Sequence, residues 1–349
     1  MEQAVVKNDK KTIRAWAFFD WANSVYALVI STAIFPIYFT SVSDEVVKFC
    51  GKDINNGNLY TFTVTVSYVI IAALSPLLSG IADSAGRRLF FLRFFTTMGS
   101  VSCMSMYFFV ESSDVWIGLT SFAFATIGFA GSLVFYDSYL PIIATEDQYD
   151  RISARGYTYG YVGSVLLLLF ILFMIEQPQF FGMEKSTLQS RIGFVLVGLW
   201  WLTFAQYTFR RMPKDLKLPI NDTMFKRGYS EVKKVFDEAL AFRDLKRFLF
   251  SFFCFMAGVQ TVVYVATVFA DTELNMSTGE LIMTVMLIQL LGIAGAILFS
   301  RVSEKYGNRN ALLIQIVVWF FVCIAAYFCQ DKYQFYGIAA AVGMVMGGI

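Results

Sequence analysis

The chain has 349 residues, of which 57% are hydrophobic and 15% are charged, and its mean hydropathy is +0.59. Soluble proteins carry about 25% charged residues, so this composition excludes an ordinary soluble protein and predicts a membrane protein. The net charge is only +2 and histidine is absent, which removes the commonest catalytic base, metal ligand and proton relay.

Ten apolar stretches follow one another, and each meets or approaches the roughly 20 residues that a helix needs to cross a bilayer. They lie at 15–39, 59–82, 89–110, 116–140, 154–175, 191–209, 247–270, 279–300, 311–329 and 334–349. The pattern predicts an all-α membrane protein with ten spans. The tenth stretch is short and stops at Ile349 without a polar flank, so we expect the chain to end inside a helix.

Lysine and arginine are concentrated in alternate connections, and this bias sets the orientation of a membrane protein. Basic residues precede the first span and occupy 87–88, 210–246 and 301–309, whereas the other connections are acidic or mixed. We therefore expect the N-terminus and the even-numbered loops to lie in the cytoplasm, and the chain to lie in the plasma (inner) membrane.

The connection at 210–246 holds ten lysines and arginines and divides the chain after the sixth span. It predicts a six-helix bundle over 1–209, a basic cytoplasmic linker over 210–246, and a second bundle over 247–349 that is truncated in its fourth helix. Within the linker, 229–245 places apolar residues among charges, which favours an amphipathic helix on the membrane surface. A plain linker between the bundles is the alternative.

A charged loop between the second and third spans recurs between the eighth and ninth. Ser79–Arg88 and Ser300–Arg309 match at a serine, an acidic residue, a glycine and an arginine. Two such copies at equivalent places predict two structural repeats, the construction of many secondary transporters. The residues expected to have a conformational role are Gly80, Asp83, Gly86, Arg87, Arg88, Glu304, Gly307 and Arg309.

The residue types of this loop suit a tight turn that changes its contacts during a conformational change. Gly86 permits a reversal that is too tight for other residues. Asp83 is placed to accept backbone N–H groups at a helix start or to pair with Arg88. A contact of this kind, made in one state and broken in another, would bias the movement of a helical bundle.

Three ionisable residues stand inside or at the edge of predicted spans. Asp20 shares one helical face with Asn23 and Ser24 in the first span. Asp137 lies near the end of the fourth span and Arg155 at the start of the fifth. A charge in a membrane span costs a few kcal/mol, so we expect each residue to face a cavity or a partner. Two interpretations are open: an ion-pair cluster that closes a cytoplasmic gate, or proton coupling and substrate contact.

Other residues of the spans suggest a cavity and close helix packing. Gln260, Gln289 and Gln315 are isolated amides in apolar spans and are candidates to line a cavity. Gly156 and Gly160 of the fifth span have the four-residue spacing that lets helices approach closely, and Gly163 is a third glycine expected to serve packing in this span.

The sequence also predicts which partners to expect. It contains no P-loop, no metal-ligand cluster and no nucleophile elbow. We therefore expect no cofactor, no bound metal, no nucleic acid and no enzymatic activity. The expected partners are the lipid bilayer, a small-molecule substrate and protons, and we expect a monomer.

Two features resemble known families. The loop from Gly80 to Arg88 resembles the cytoplasmic loop motif of the major facilitator superfamily, and its second copy departs from the motif with Arg301 at the first glycine position. Six spans, a basic linker and a second set of spans fit the two-bundle fold of that superfamily. Three stretches resemble the family that contains the autophagy-related vacuolar amino-acid effluxer of yeast and bacterial relatives: Ala15–Ser24, Tyr136–Ala144 and Ile152–Gly163.

This resemblance implies a secondary active transporter that moves a small solute by alternating access, with amino-acid efflux as the implied activity. Family members usually have twelve spans, so the eleventh and twelfth are expected to be missing. Asp137 stands where we expect many relatives to carry a neutral asparagine. A non-transporting membrane sensor or scaffold, and a lipid-translocating member of the same fold, are the alternatives.

Overall fold

The computed structural model describes residues 6–49, 51–215, 233–234, 241–274, 276 and 278–347. Ten long helical segments follow one another within these ranges, in the order that the apolar stretches predict. The first has three parts: α1 (Lys10–Val25), a π-helical stretch (Tyr26–Ile34) and α2 (Phe35–Val42). The others, with the single-turn α6, are α3 (Asn56–Ala85), α4 (Arg88–Ser105), α5 (Val115–Asp137), α6 (Leu140–Ile143), α7 (Tyr149–Glu176), α8 (Leu188–Arg211), α9 (Arg243–Thr272), α10 (Thr278–Tyr306), α11 (Asn308–Tyr327) and α12 (Lys332–Met346).

Eight stretches of the described chain are long and apolar enough to cross a membrane, judged by length and composition. They are Lys10–Val42, Asn56–Gly80, Arg88–Phe108, Ser112–Ile143, Glu146–Glu176, Leu188–Arg211, Met283–Tyr306 and Asn308–Tyr327. The prediction of an all-α membrane architecture is thereby confirmed.

A β-hairpin between the first two spans was not predicted. Strand β1 (Val46–Phe49) pairs antiparallel with β2 (Lys52–Asn55), with Val46 opposite Asn55. Gly51 takes φ +78° in the turn, a conformation that glycine adopts without steric cost. The strands read Val-Val-Lys-Phe and Lys-Asp-Ile-Asn, and neither alternates strictly between apolar and polar residues, so this signal does not reveal them.

The middle of the first span is a second departure from the predicted regular helix. The π-helical stretch ends two residues before Pro36. In a regular α-helix the proline ring would collide with the carbonyl of Thr32, four residues earlier. The wider turns therefore stand where α-helical hydrogen bonding has to be interrupted, and π-helical turns of this kind are frequent at functional sites.

The chain falls into two compact units, residues 1–149 with 162–230 and residues 150–161 with 231–349. Helix α7 supplies residues to both units. Most of the predicted amphipathic helix at 229–245, like most of the linker, lies outside the described residues, and its last three residues belong to α9.

Aromatic side chains fill the core of the first unit. Phe35 of α2 stacks on Phe122 of α5, with ring centroids 4.6 Å apart. Six of the large side chains that are less than 2% exposed belong to this core: Phe19, Phe35, Phe39, Phe122, Phe194 and Trp201. Each buries a large apolar area, so this cluster is a main source of the unit's packing energy.

Helices α4 and α5 meet at two glycines. A Cβ added to Gly128 would lie 2.5 Å from Gly99 Cα and 2.8 Å from Phe95 O. On the other side of α4, a Cβ on Gly99 would collide with the ring of Trp201. The two backbones are therefore in direct contact, a packing mode in which only glycine fits.

The second unit has its own core. Val259 of α9, Trp319 and Val322 of α11, and Val342 and Val345 of α12 form one buried cluster. Helices α10 and α12 also pack backbone to backbone, because Cβ atoms on Gly295 and Gly343 would meet main-chain atoms of the facing helix.

Candidate functional site

Asp20 of α1 is a carboxylate within a membrane-spanning segment, and it is only 9% exposed. Tyr136 of α5 donates its phenol hydroxyl to Asp20 Oδ2 over 2.8 Å. Among the described residues, the ion pairs join other groups: Lys185–Glu176, Arg247–Asp244 and Lys332–Glu280. The partner of the Asp20 carboxylate is thus a neutral hydroxyl, which supplies a hydrogen bond without balancing a charge.

Tyr136 is held in place by the first turns of α1. Its ring stacks on Trp16 with centroids 4.3 Å apart and planes 11° apart, and on Phe19 at 5.0 Å. The Trp16 indole N–H donates to the backbone carbonyl of Tyr136 over 2.9 Å. The hydroxyl that reaches Asp20 is therefore fixed by packing on both ring faces and by a main-chain contact.

Further polar contacts join α1 and the start of the π-helical stretch to α5. Ser132 Oγ lies 3.4 Å from Asn23 Oδ1, and Tyr26 and Thr126 share a hydrogen bond of 2.7 Å. The Thr126 hydroxyl donates to Phe122 O, so Tyr26 is the donor to Thr126. We name the buried polar residues of this interface the α1–α5 seam: Asp20, Asn23, Tyr26, Thr126, Ser132 and Tyr136.

Asp137 and Arg155 are exposed, unlike Asp20. Asp137 is the last residue of α5 and its side chain is exposed, whereas the neighbouring Tyr136 is buried. Arg155 is exposed on α7, in the part of that helix assigned to the second unit. Of the three ionisable candidates, the structure buries Asp20 alone, and the roles of the other two stay predictions.

The remaining candidates are placed as follows. Ser24 is half-buried beside the α1–α5 seam, Gln289 is half-buried on α10, and Gln315 is buried on α11. Gln260 lies in α9, but its side chain is outside what the structure describes. Gly163 faces Trp21 of α1, where an added Cβ would lie 3.0 Å from the indole ring. Two further glycines of the fifth span are buried in α7: Gly156 and Gly160.

Both copies of the charged loop contain a glycine with positive φ. Gly86 has φ +60° between α3 and α4, and Gly307 has φ +82° between α10 and α11. Arg87 N–H donates to Ala82 O over 2.9 Å, and Gly307 N–H donates to Ser303 O over 2.8 Å. The acceptors Ala82 and Ser303 are equivalent positions of the repeat, but the donors differ, so the bond spans five residues in the first turn and four in the second. The Asp83 side chain lies outside the described part of the chain.

Replacing Gly307 by alanine is expected to destabilise the protein by about 1–3 kcal/mol, because φ +82° with ψ 153° is a region that only glycine populates readily. Thermal unfolding of the purified protein in detergent measures this loss. The control is Gly337→Ala in α12, where nothing lies within 4 Å of an added Cβ. Alanine favours a helix interior by up to about 1 kcal/mol over glycine, so this variant should be slightly more stable. Equal effects at the two positions would contradict the assigned turn.

Sequence reasoning missed the partners of the candidates. Tyr136 lies in a stretch that carried the family resemblance, but nothing local indicates that it faces Asp20, 116 positions away. Asp215 was also missed: it follows the end of α8 and accepts two backbone N–H groups at the start of α4. A carboxylate two residues beyond Pro213 is a usable capping signal, but it does not say which helix is capped.

Comparison with known sequences places the chain in a family. The sequence model described as "Vacuole effluxer Atg22 like" matches residues 8–150 and 145–349. An uncharacterized MFS-type transporter, YxiO of Bacillus subtilis, is 28% identical over 99% of this chain and 80% of its own length. Autophagy-related protein 22 of Coccidioides immitis is 22% identical over 100% of this chain and 69% of its own length.

Comparison with solved structures gives the fold. The proton:xylose symporter XylE bound to 6-bromo-6-deoxy-D-glucose superposes with a TM-score of 0.60 at 12% identity, covering 97% of this chain and 78% of its own. A bacterial homologue of the lysosomal transporter Spinster, in an inward-facing and unoccupied conformation, gives 0.56 at 17% identity, with 97% and 73% covered. These similarities show the major facilitator fold.

Together these findings describe a multi-pass membrane transporter. The match extends over nearly the whole chain, through the α1–α5 seam and both copies of the charged loop. The chain therefore belongs to the vacuole effluxer Atg22-like family of major facilitator transporters.

Proposed function

We propose that this protein is a secondary transporter that exports a neutral amino acid by alternating access, and that Asp20 carries the coupled proton. The observation that carries the proposal is the buried Asp20 carboxylate, which lies in a membrane-spanning segment and is hydrogen-bonded to a neutral phenol. Amino-acid efflux follows from the family resemblance, and the matching family model is described as "Vacuole effluxer Atg22 like".

The physical argument starts from the cost of the charge. An ionised carboxylate in the middle of a membrane span costs roughly 2.5–3.5 kcal/mol even on the lower scales. Tyr136 offsets part of this cost with one hydrogen bond, but it brings no positive charge. Because the chain contains no histidine, a coupled proton has to be carried by a carboxyl group, and Asp20 is a buried carboxyl group in a membrane span.

The substrate site is expected near the membrane midplane, where transporters of this construction bind their solutes. Asn23 and Ser24 lie one turn beyond Asp20 on α1, and the π-helical stretch begins directly after Val25. The first span runs from Lys10 to Val42, so this polar and irregular part of the helix stands at its centre. We infer that its hydroxyl, amide and backbone groups contact a zwitterionic ligand when the transport cycle opens this part of the helix.

A thermal-stability assay with a ligand panel tests the substrate. A neutral amino acid at about 100 times its Kd should stabilise the fold by roughly 2.7 kcal/mol, whereas sugars and nucleosides should have no effect. Uptake of the responding compound into vesicles, with and without a pH gradient, then tests the coupling. A folded protein that is neither stabilised by any amino acid nor able to transport one would contradict the proposal. If the protein also fails to move phospholipids between the two leaflets of the vesicle membrane, the result would favour a sensor or scaffold.

The proposed orientation places the N-terminus in the cytoplasm at the plasma (inner) membrane, because the basic connections are expected on that side. A reporter fused before Lys7 should then be active in the cytoplasm. A reporter inserted in the turn at Gly51, between β1 and β2, should be active on the opposite side. The same compartment for both reporters would refute this topology.

A further inference from the structure

The start of α4 is capped by a carboxylate from a distant part of the chain. Asp215 accepts the backbone N–H of Leu89 at Oδ1 over 2.9 Å and that of Phe90 at Oδ2 over 2.8 Å. The first N–H groups of a helix have no partner within the helix and carry partial positive charge. The residue that precedes α4, Arg87, makes no capping bond with its own side chain. Asp215 therefore accepts the free N–H groups of α4, which in most helices is done by a residue next to the helix start.

The end of α8 is capped in return by α4. Arg93 Nη2 donates to the carbonyl of Phe209 over 3.0 Å, and its guanidinium lies 5.6 Å from the centre of the Phe209 ring. Phe209 stands in the last turn of α8, where carbonyl groups lack partners within the helix. A cation at this end also suits the helix dipole. Each helix thus satisfies the open end of the other.

We name this arrangement the α4–α8 clasp, formed by Arg93, Phe209 and Asp215 with the N–H groups of Leu89 and Phe90. It connects the charged loop with the basic linker, two features of the sequence whose relation the proposed function does not explain. Leu89 directly follows the charged loop with positive-φ Gly86, and Asp215 lies at the root of the basic linker. The two hydrogen bonds of Asp215 therefore connect the linker root directly to the helix that begins at the loop.

We propose that Asp215 is a positioning residue that couples the linker root to the charged loop, and that the transport cycle depends on this coupling. The second part rests on the proposed transport function. When the carboxylate is removed, the two N–H groups lose both acceptors and the linker root loses its attachment. The turn around Gly86 is then no longer held to the end of α8, and its movement is no longer coordinated with that helix. The transport cycle therefore slows, while the α1–α5 seam is left intact.

Amide hydrogen exchange tests the coupling without any substrate. In Asp215→Ala the amides of Leu89 and Phe90 should exchange about tenfold faster. The amide of Arg87, which donates to Ala82 O within the loop, should also exchange faster. Faster exchange confined to Leu89 and Phe90 would make Asp215 a local cap and overturn the proposal, as would unchanged exchange at all three amides.

The matched control is Asp114→Ala. Asp114 Oδ2 also accepts two backbone N–H groups, from Val110 over 3.1 Å and from Glu111 over 3.3 Å, in the connection between α4 and α5. This variant removes the same chemistry away from the clasp. It should leave exchange at Arg87, Leu89 and Phe90 at the unmodified rate.

Flux measurements test the consequence for transport. Asp215→Ala should lower the maximal rate of amino-acid exchange in vesicles about tenfold and leave the half-saturating concentration unchanged, since the substrate contacts are untouched. Asp215→Asn, which keeps one acceptor oxygen, should recover part of the rate. A changed half-saturating concentration, or an unchanged maximal rate, would overturn the role in transport. If the unmodified protein moves no amino acid, the proposed function fails and the amide-exchange result alone decides the coupling.

Discussion

Asp20→Asn is expected to abolish the dependence of transport on a proton gradient while leaving the protein folded. Asparagine has nearly the same volume and keeps an oxygen that can accept the Tyr136 hydroxyl, but it cannot bind or release a proton. If one proton is coupled to each solute, a gradient of one pH unit is worth about 1.4 kcal/mol, or roughly a tenfold concentration ratio. The variant should lose this accumulation completely and retain exchange of solute for solute.

The measurement is accumulation of labelled solute in vesicles at several pH gradients. The matched control is Glu176→Gln, which removes a carboxylate from an exposed ion pair at the end of α7. Such pairs contribute little, about 0–1 kcal/mol, so the control should accumulate solute like the unmodified protein. If accumulation by the Asp20→Asn variant depends on the pH gradient as it does in the unmodified protein, Asp20 does not carry the coupled proton. Asp137 is then the next candidate.

Gly128→Val is expected to have the largest effect on stability. The added Cβ would lie within 3.0 Å of Gly99 Cα, Gly99 N and Phe95 O, which are all main-chain atoms or glycine atoms that cannot rotate away. Helices α4 and α5 would have to separate, and with them the contacts that Trp201 makes on Gly99. Overpacking of this kind should cost roughly 2–4 kcal/mol, a large part of the total stability of a protein.

Thermal unfolding in detergent, followed by intrinsic fluorescence, measures this loss. Gly258→Val in α9 is the control, because a Cβ added there meets nothing within 4 Å. It should change the stability by only a few tenths of a kcal/mol, since helix propensity alone is involved. Similar unfolding temperatures for the two variants would contradict the backbone contact between α4 and α5.

The α1–α5 seam and the α4–α8 clasp are expected to have different roles within the first unit. The seam holds the buried carboxylate and the polar groups at the centre of the first span, whereas the clasp holds helix ends next to the charged loop. Substitutions in the seam are therefore expected to change coupling or affinity. Substitutions in the clasp are expected to change the rate of the cycle, and this contrast separates the two roles experimentally.

The sequence by itself determined the features that depend on neighbouring residues. Runs of apolar residues predicted each span, because a helix must bury about 20 of them to cross a bilayer. The repeated loop predicted Gly86 and Gly307 as turn residues, since a tight reversal requires a conformation that glycine adopts freely. Asp20 stood out because a lone carboxylate in an apolar span is costly wherever it points.

Only the tertiary structure decided which residues meet. Tyr136 reaches Asp20 across 116 positions and Asp215 reaches Leu89 across 126, while Gly128 fits against Gly99 only in the observed pairing of α4 with α5. Hydropathy indicates that a helix is buried in lipid or protein. Because most faces of a membrane helix are apolar, hydropathy does not indicate which face packs against which neighbouring helix. Those choices follow from packing over the whole unit, which no local pattern contains.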